Sequence, residues 1–190
     1  MIDLDITEMF GEVVRKIPEK LEILYSDGKG GFKVVKSPKL NYIFGSSQYI
    51  KDILDEYSKS PSLSEKKFPL VALFTPVNED RGYLNYFSKA DVSLIIACSS
   101  RSKWSNEERR TNSFKNILRP IYRNLLDVLC DDYRFSFDCD EGVKHSYSEN
   151  YSYGRYGAYT DSGEAVSEPI DAINIRSMEI KINNLNCRRK

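Results

Sequence analysis

The residues best suited to metal-assisted chemistry lie near the carboxyl end of the chain. Asp171 follows Pro169 and Ile170, and Glu179 is separated from Lys181 by one isoleucine. Paired carboxylates can hold a magnesium ion, and a neighbouring lysine can stabilise the charge that develops on a phosphate during phosphodiester cleavage. Their residue types and spacing therefore make these two acids and the lysine the candidates for a catalytic role.

This arrangement resembles the acid and Glu-x-Lys halves of a metal-dependent nuclease core. Short patterns of this kind arise by chance in any strand of alternating residues, and the rest of the chain supplies no basic cleft for DNA. The nuclease, with Asp171, Glu179 and Lys181 as its site, is therefore the alternative. The main expectation is a protein that is not an enzyme, with no catalytic residue, no metal ligand and no cofactor assigned.

Other potential sites are explained better as structure. The single histidine, His145, has no evident serine and acidic partner for a catalytic triad. Residues 26–31 lack the spacing of a phosphate-binding loop and are typical of a β-hairpin turn. The acidic residues 138–142 lack the glycine and the closing glutamate of an EF-hand calcium loop. The four cysteines match no zinc pattern and are predicted to be structural.

A polar segment, 145–168, is rich in tyrosine, serine and glycine. It has too little aliphatic content to form a core, but rigid aromatic area beside small polar residues is typical of contact surfaces. Stacking on nucleic-acid bases is the alternative, although acidic residues outnumber Lys144 and Arg155 in this region. We expect a projecting loop or hairpin arm that forms a subunit or partner interface. The interface residues are Tyr147, Tyr151, Tyr153, Arg155, Tyr156 and Tyr159.

Composition indicates one ordinary globular domain. The chain has 190 residues, of which 41% are hydrophobic and 29% are charged. Its formal net charge is zero, so no general attraction to nucleic acid or to a membrane is expected. The N-terminus lacks the layout of a signal peptide, and no apolar run approaches the roughly 20 residues of a membrane-spanning helix. We therefore expect a soluble protein that is made in a reducing cytoplasm.

Hydrophobic periodicity predicts the elements that position these residues. An amphipathic helix is expected over 6–17, with Asp5 and Glu8 as a capping box and Pro18 at its end. A second helix is expected over 49–57. The predicted strands are 21–25, 32–35, 41–44, 68–74, 90–98, 133–137 and 171–183.

A long helix is predicted after the second central strand. Ser105 and Glu108 have the spacing of a capping box, and an apolar stripe continues over 114–129. Pro120 falls inside this stripe and predicts a kink in the turn that precedes it. The charged residues 107–110 are expected to face solvent.

Together these elements predict an α+β fold in one domain spanning 1–190. A mainly antiparallel or mixed sheet would be packed by the N-terminal helix and by the long, proline-kinked helix. The segment 145–168 would project from this domain, and 184–190 would be a flexible tail.

The order of the elements resembles that of the tail-terminator, tail-completion and neck proteins of tailed bacteriophages. An amphipathic N-terminal helix precedes the apolar strand Phe68–Phe74, and a loop leads to a second strand at Asp91–Ala97. The long helix with Phe114–Tyr122 follows, and the remaining sequence is rich in predicted strands. The chain is similar in style to proteins from phages and prophages of gut Bacteroides-type bacteria, including crAss-like phages.

The resemblance implies a small α+β virion structural protein at the head–tail junction. It would form a homo-oligomeric ring, often a hexamer, that terminates the tail tube or joins it to the head–tail connector. Its partners would be other neck, portal or tail-tube proteins, with non-specific contact with DNA in the lumen and no membrane. It would be made in the bacterial host cytoplasm and located in the virion. A ring needs one heterologous interface repeated around an axis, and the tyrosine-rich arm is the expected interface. A phage accessory protein outside the virion is a further alternative.

Overall fold

The computed structural model describes residues 5–59, 61–64, 66–81, 87–137, 142–151 and 169–183. As predicted, these residues form an α+β fold, in which helices pack on both faces of one large mixed sheet. The helices are α1 (Ile6–Lys16), α2 (Ser47–Lys59), α3 (Pro61–Ser64), α4 (Asn106–Arg109) and α5 (Arg119–Asp131). The strands are β1 (Glu22–Ser26), β2 (Phe32–Lys36), β3 (Asn41–Gly45), β4 (Leu70–Phe74), β5 (Asn78–Arg81), β6 (Phe87–Ser99), β7 (Phe135–Ser136), β8 (Ser146–Asn150) and β9 (Ile170–Asn183).

Helix α1 begins and ends at residues that signal its boundaries locally. The Glu8 N–H donates to Asp5 Oδ1 at 2.9 Å and the Asp5 N–H donates to Glu8 Oε2 at 3.2 Å, which confirms the predicted capping box. A 3-10 turn, Ile17–Lys20, contains Pro18 and ends the α-helical hydrogen bonding. The apolar stripe of α1 is buried, and Phe10 at its centre has no exposed surface.

The glycine-rich segment between β1 and β2 is a hairpin turn, as predicted. The two strands pair antiparallel along their full lengths and form a sheet of their own. Gly28 and Gly30 have φ angles of 77° and 91°, which residues with a side chain rarely adopt. Asp27 Oδ1 accepts hydrogen bonds from the N–H groups of Lys29 and Gly31. The turn therefore satisfies these two backbone donors with its own aspartate.

The large sheet is built around two long antiparallel strands, β6 and β9. Strands β4 and β5 share the other side of β6, and β3 lies outside β4 in parallel orientation. Strands β7 and β8 share the other side of β9. Within the described residues, β3 and β5 therefore form one edge of the sheet, and β7 and β8 form the other.

A β-bulge interrupts the alternation of β9. Val92 pairs with Met178, whereas Leu94 pairs with Ile175, so β9 uses one extra residue in this interval. Ser177 lies in the bulge with a φ of 49°. Before the bulge the odd-numbered residues face the larger core, and after it the even-numbered residues do.

Each face of the sheet carries an apolar core. The first face is covered by α1 and by the long helix of residues 106–131. Its buried strand residues include Val71, Leu73, Val92, Leu94, Ile96, Ile173, Ile175, Met178, Ile180 and Ile182. The second face is covered by α2. Ile50 of this helix belongs to a core cluster with the strand residues Ile43, Leu70, Ala72, Ile95, Ala97 and Ala172. Burial of these side chains is the main source of fold stability, at about 1.5–3 kcal/mol for each large one.

The long helix accommodates Pro120 by a change of helical register. The capping box of Ser105 and Glu108 at its start is confirmed. After α4 the segment Arg110–Leu118 is a π-helix, and the Arg119 N–H donates to the carbonyl five residues earlier. Because proline has no N–H, it is tolerated where the register returns to that of α5. Within the described ranges, neither this helix nor any other is both long and apolar enough to cross a membrane.

Strand β7 is shorter than the predicted strand over 133–137. Tyr133 and Arg134 form a turn instead, and Arg134 Nε donates to Asp132 Oδ1 at 2.9 Å. The Asn183 N–H of β9 donates to the Arg134 carbonyl at 2.8 Å, and residue-by-residue pairing with β9 begins at Phe135.

Candidate functional site

Strand β8 brings predicted interface residues to the edge of the sheet. Tyr147 pairs with Ile175 of β9 and Glu149 pairs with Ile173, and both isoleucines belong to the core on the first face. Tyr147 and Glu149 therefore also point to the first face, where the long helix lies. In the described part of the chain, no strand pairs with the other side of β8.

The segment predicted to project as an arm begins inside the sheet, which corrects that expectation for 145–151. Residues 146–150 form β8, and the rings of His145 and Tyr151 contact the long helix. Sequence composition indicated a loop because serine, asparagine and glutamate have little intrinsic preference for strands. Pairing with β9 and contacts with the helix override that local preference. Tyr153, Arg155, Tyr156 and Tyr159 lie outside the described residues.

A tyrosine–histidine contact joins the long helix to the start of β8. The Tyr122 hydroxyl lies 2.8 Å from His145 Nε2, and His145 Nδ1 lies 2.6 Å from the Val143 carbonyl. Because a carbonyl only accepts, the proton of the neutral ring belongs on Nδ1, and Nε2 accepts from Tyr122. The ring of Tyr147 packs 4.9 Å from that of Tyr122. The single histidine of the chain therefore positions aromatic rings.

An ion pair fixes the middle of β8 to the long helix. Arg119 Nε donates to Glu149 Oε1 at 2.7 Å and Arg119 Nη2 donates to Oε2 at 3.0 Å. The Tyr147 hydroxyl donates to the same Oε1 atom. These hydrogen bonds lower the pKa of Glu149, with the guanidinium as the main cause, and they raise the pKa of Arg119. The bidentate geometry gives this pair a defined orientation that a single contact would not.

Tyr151 completes an aromatic surface at this edge. Its ring lies 4.4 Å from that of Phe114, which is fully buried, while Tyr151 itself is 36% exposed and Tyr147 is 41% exposed. We call Tyr122, Tyr147 and Tyr151 the tyrosine surface. Each of the three rings packs against a neighbouring aromatic ring, so the surface presents apolar area in a fixed orientation.

The phenol groups of the tyrosine surface have raised pKa values. Burial raises the pKa of Tyr147, and the hydrogen bond to Glu149 raises it further. Burial is also the first cause of the raised pKa values of Tyr122 and Tyr151. All three phenols are therefore neutral near pH 7 and present uncharged rings and hydroxyls at this edge.

A buried ion pair lies where the long helix meets β9. Arg109 Nη1 is 2.8 Å from Asp171 Oδ1, and the Ser113 hydroxyl donates to Oδ2 at 2.6 Å. Asp171 has no exposed surface. Arg109 Nη2 and Nε also donate to the carbonyls of Arg101 and Trp104, at 3.0 and 3.3 Å. These bonds join the start of the helix, the preceding loop and the sheet.

The buried position of Arg109 corrects the expectation that charged residues 107–110 face solvent. Arg109 is 2% exposed, whereas Glu107 and Arg110 are exposed and pair with each other. Helical periodicity is the one signal that could have separated them, because it places Arg109 on the same side as Ser113. Its partner lies 62 residues away along the chain, so no local pattern identifies it.

The structure does not bring Asp171 and Glu179 together. In a regular strand, residues eight positions apart point to the same face. The bulge at Ser177 reverses this relationship, so Asp171 is buried beneath the long helix while the Glu179 side chain is 60% exposed on the second face. Lys181 lies on the second face with Glu179, and its Nζ is 4.0 Å from the Phe87 ring centroid. These carboxylates therefore do not share a metal site.

The second face carries a cavity of about 710 Å³ with lining of mixed charge. Across the β6–β9 pair, Asp91 lies opposite Glu179 and Lys89 lies opposite Lys181, giving an acidic row beside a basic row. Lys144 Nζ lies 3.6 Å from Glu179 Oε1. Among the described residues, no group of three or more histidine, cysteine, aspartate or glutamate side chains is placed to hold a metal ion.

No protein-family model matches this chain, and no curated protein sequence matches it significantly. What the tyrosine surface does must therefore be inferred from its contacts and from its place on the sheet.

Proposed function

We propose that this protein is a structural subunit of a tailed bacteriophage, and that it assembles into a ring at the head–tail junction. Its role there is to terminate the tail tube or to join it to the connector. Two observations support this proposal. The order of elements predicted from the sequence resembles that of neck and tail-completion proteins. The tyrosine surface has the composition and geometry of a protein contact site.

The exposed but rigid position of Tyr147 carries the proposal. A contact surface loses affinity when its side chains must be ordered on binding. Tyr147 is already held by its hydroxyl on Glu149 and by its ring on Tyr122, while 41% of it stays exposed. Tyrosine in such a setting supplies large contact area at little entropic cost. The site is thus preorganised for a protein partner.

The location of the tyrosine surface at a sheet edge also supports assembly. An edge strand presents backbone N–H and C=O groups that a second chain can pair with. In the described residues, β8 has such an edge beside its exposed tyrosines. A partner can therefore combine backbone pairing with aromatic contacts in one interface.

Native mass spectrometry of the full chain tests the ring. We expect a closed oligomer of the wild type, and its loss in the Tyr147→Ala/Tyr151→Ala double variant. Tyr133→Ala is the matched control, because Tyr133 is 70% exposed and lies outside the tyrosine surface. A chain that stays monomeric at high concentration, or a ring that tolerates the double variant, would contradict the proposal.

Mass spectrometry of purified phage particles tests the virion assignment. The chain should be present in particles of the phage whose genome encodes it, in the small copy number of a ring. Its absence from the particles, with abundant protein in the infected cell, would favour the accessory-protein alternative.

A further inference from the structure

We infer that β8 of one subunit pairs with β3 of the next as antiparallel strands, so that the sheet continues across the ring interface. The inference rests on the proposed ring and names the second surface that such a ring needs. A heterologous contact joins two different patches of identical subunits, and the tyrosine surface supplies one of them. The opposite edge of the sheet supplies the other.

Strands β3 and β8 have the right directions for this contact. β3 is parallel to β4, and each of the successive pairs β4–β6, β6–β9 and β9–β8 is antiparallel. β3 and β8 therefore run in opposite directions at opposite ends of the sheet. When two copies stand side by side in the same orientation, β8 of one meets β3 of the other as an antiparallel neighbour. The two strands have five residues each, so each can pair with the other along its whole length.

The backbone of β3 is oriented to accept this neighbour. The Asn41 N–H donates to the Pro69 carbonyl, and the Gly45 carbonyl accepts from the Thr75 N–H, both on the side of β4. Backbone groups alternate in direction along a strand. The N–H and C=O groups of the even-numbered residues of β3 therefore point away from β4, towards the incoming strand.

The side chains of the two edges match on the first face. Phe44 pairs with Leu73 of β4, which belongs to the core on the first face, so Phe44 points to the same face as Tyr147. Phe44 is 48% exposed, and it is one of the large apolar side chains that the isolated subunit leaves in water. Pairing Ile43 with Ser148 aligns both strands completely and places Phe44 directly opposite Tyr147. Aromatic residues that face each other across antiparallel strands form favourable pairs.

Disulfide trapping tests this register in the full-length protein. Paired positions of antiparallel strands have Cα atoms about 4.5–5.5 Å apart, a separation that a disulfide can span. Residues 44 and 147 lie on opposite edges of one subunit's sheet, so a disulfide between them must join two subunits. Replacing the two rings weakens the contact, but a disulfide can trap it while it forms transiently. Mild oxidation of Phe44→Cys/Tyr147→Cys at high protein concentration should therefore give covalent oligomers on a non-reducing gel, and reductant should remove them.

Three controls make the result specific. The parent chain, which has an exposed Cys130, and the single variant Phe44→Cys should give no such ladder. Phe44→Cys/Tyr133→Cys places the second thiol at a more accessible position away from β8, since Tyr133 is 70% exposed. Covalent oligomers confined to the 44–147 pair support the inference, while equal cross-linking of the 44–133 pair overturns it. A native ring without 44–147 cross-links overturns the inference and leaves the proposed function standing, whereas a strictly monomeric chain overturns both.

Discussion

Arg109 and Asp171 form an ion pair that is closed on every side, with 2.8 Å between Nη1 and Oδ1 and almost no solvent exposure of either residue. Arg109 stands in the first turn of the long helix and Asp171 at the start of β9. The Ser113 hydroxyl donates to the second carboxylate oxygen. Arg109 therefore neutralises the charge of Asp171, and both carboxylate oxygens have hydrogen-bond donors. The pair therefore fixes where the helix crosses the sheet.

Removing the charge of Asp171 should destabilise the fold strongly. Asp171→Asn leaves the Arg109 guanidinium buried without its counter-charge, which costs about 3–5 kcal/mol of unfolding free energy. Urea unfolding followed by circular dichroism measures the loss. Asp127→Asn, on the exposed side of α5, is the control and should change the unfolding free energy by less than about 0.5 kcal/mol. A loss in Asp171→Asn no larger than that of the control would show that the pair contributes little.

Asp132 should make stability depend on pH in the acid range. Burial alone would raise its pKa, but hydrogen bonds from Arg134 and Lys16 outweigh burial and lower the pKa to about 2. The carboxylate therefore stabilises the fold above the unfolded-state pKa of about 4, and this contribution is lost as the pH falls towards 2. The full contribution is about 2 kcal/mol.

The comparison of wild type with Asp132→Asn isolates the contribution of this carboxylate to the free energy of unfolding. The difference between their unfolding free energies should be largest at neutral pH and should shrink between about pH 4 and pH 2. Urea titrations at several pH values measure it. A difference that stays constant over this range would mean that Asp132 is not a carboxylate with a lowered pKa.

Loosening the Arg119–Glu149 pair should weaken assembly more than folding. Arg119→Lys keeps the positive charge but loses the two-point contact that orients Glu149 and, through it, the Tyr147 hydroxyl. We expect a loss of about 0.5–1 kcal/mol in stability, because the pair is partly exposed. The ring should dissociate at higher protein concentration than wild type, as measured by analytical ultracentrifugation. Arg123→Lys, one turn later and exposed, should behave as wild type.

Ser105 should contribute to stability as a helix cap. Its hydroxyl accepts from the Glu108 N–H at 3.2 Å, and the Ser105 N–H donates to Glu108 Oε2 at 2.7 Å. Ser105→Ala should therefore cost about 1 kcal/mol in thermal or urea unfolding. Ser102→Ala, in the exposed turn just before the helix, is the matched control. Equal effects of the two variants would show that the cap is not responsible.

Features that depend on neighbouring residues could be predicted from the sequence. The capping box at Asp5, the hairpin at Gly28 and the cap at Ser105 each rest on contacts within four residues, and the structure contains all three. The two central strands follow from continuous apolar runs, because a strand that is buried on both faces is apolar along its length. Local chemistry is enough where the stabilising partner is close in sequence.

Features that depend on residues far apart in the chain could not be predicted from the sequence. The strand at 146–150 forms because β9 offers hydrogen bonds and Arg119 offers an ion pair, and neither lies near it in sequence. Arg109 is buried because its ion-pair partner, Asp171, lies on a distant strand, β9. Asp171 and Glu179, the acids of the nuclease alternative, lie on opposite faces because a single bulge residue, Ser177, changes which face a strand position occupies. Nothing in the serine itself marks that geometry.

The bulge in β9 also sets a rule for comparing this chain with relatives. Deleting Ser177 would turn Met178, Ile180 and Ile182 towards the second face and bring Glu179 and Lys181 into the apolar core. We therefore expect a relative with this fold to keep the same number of residues between Asp171 and Ile182, because a gap there would exchange the two faces of the strand after the bulge.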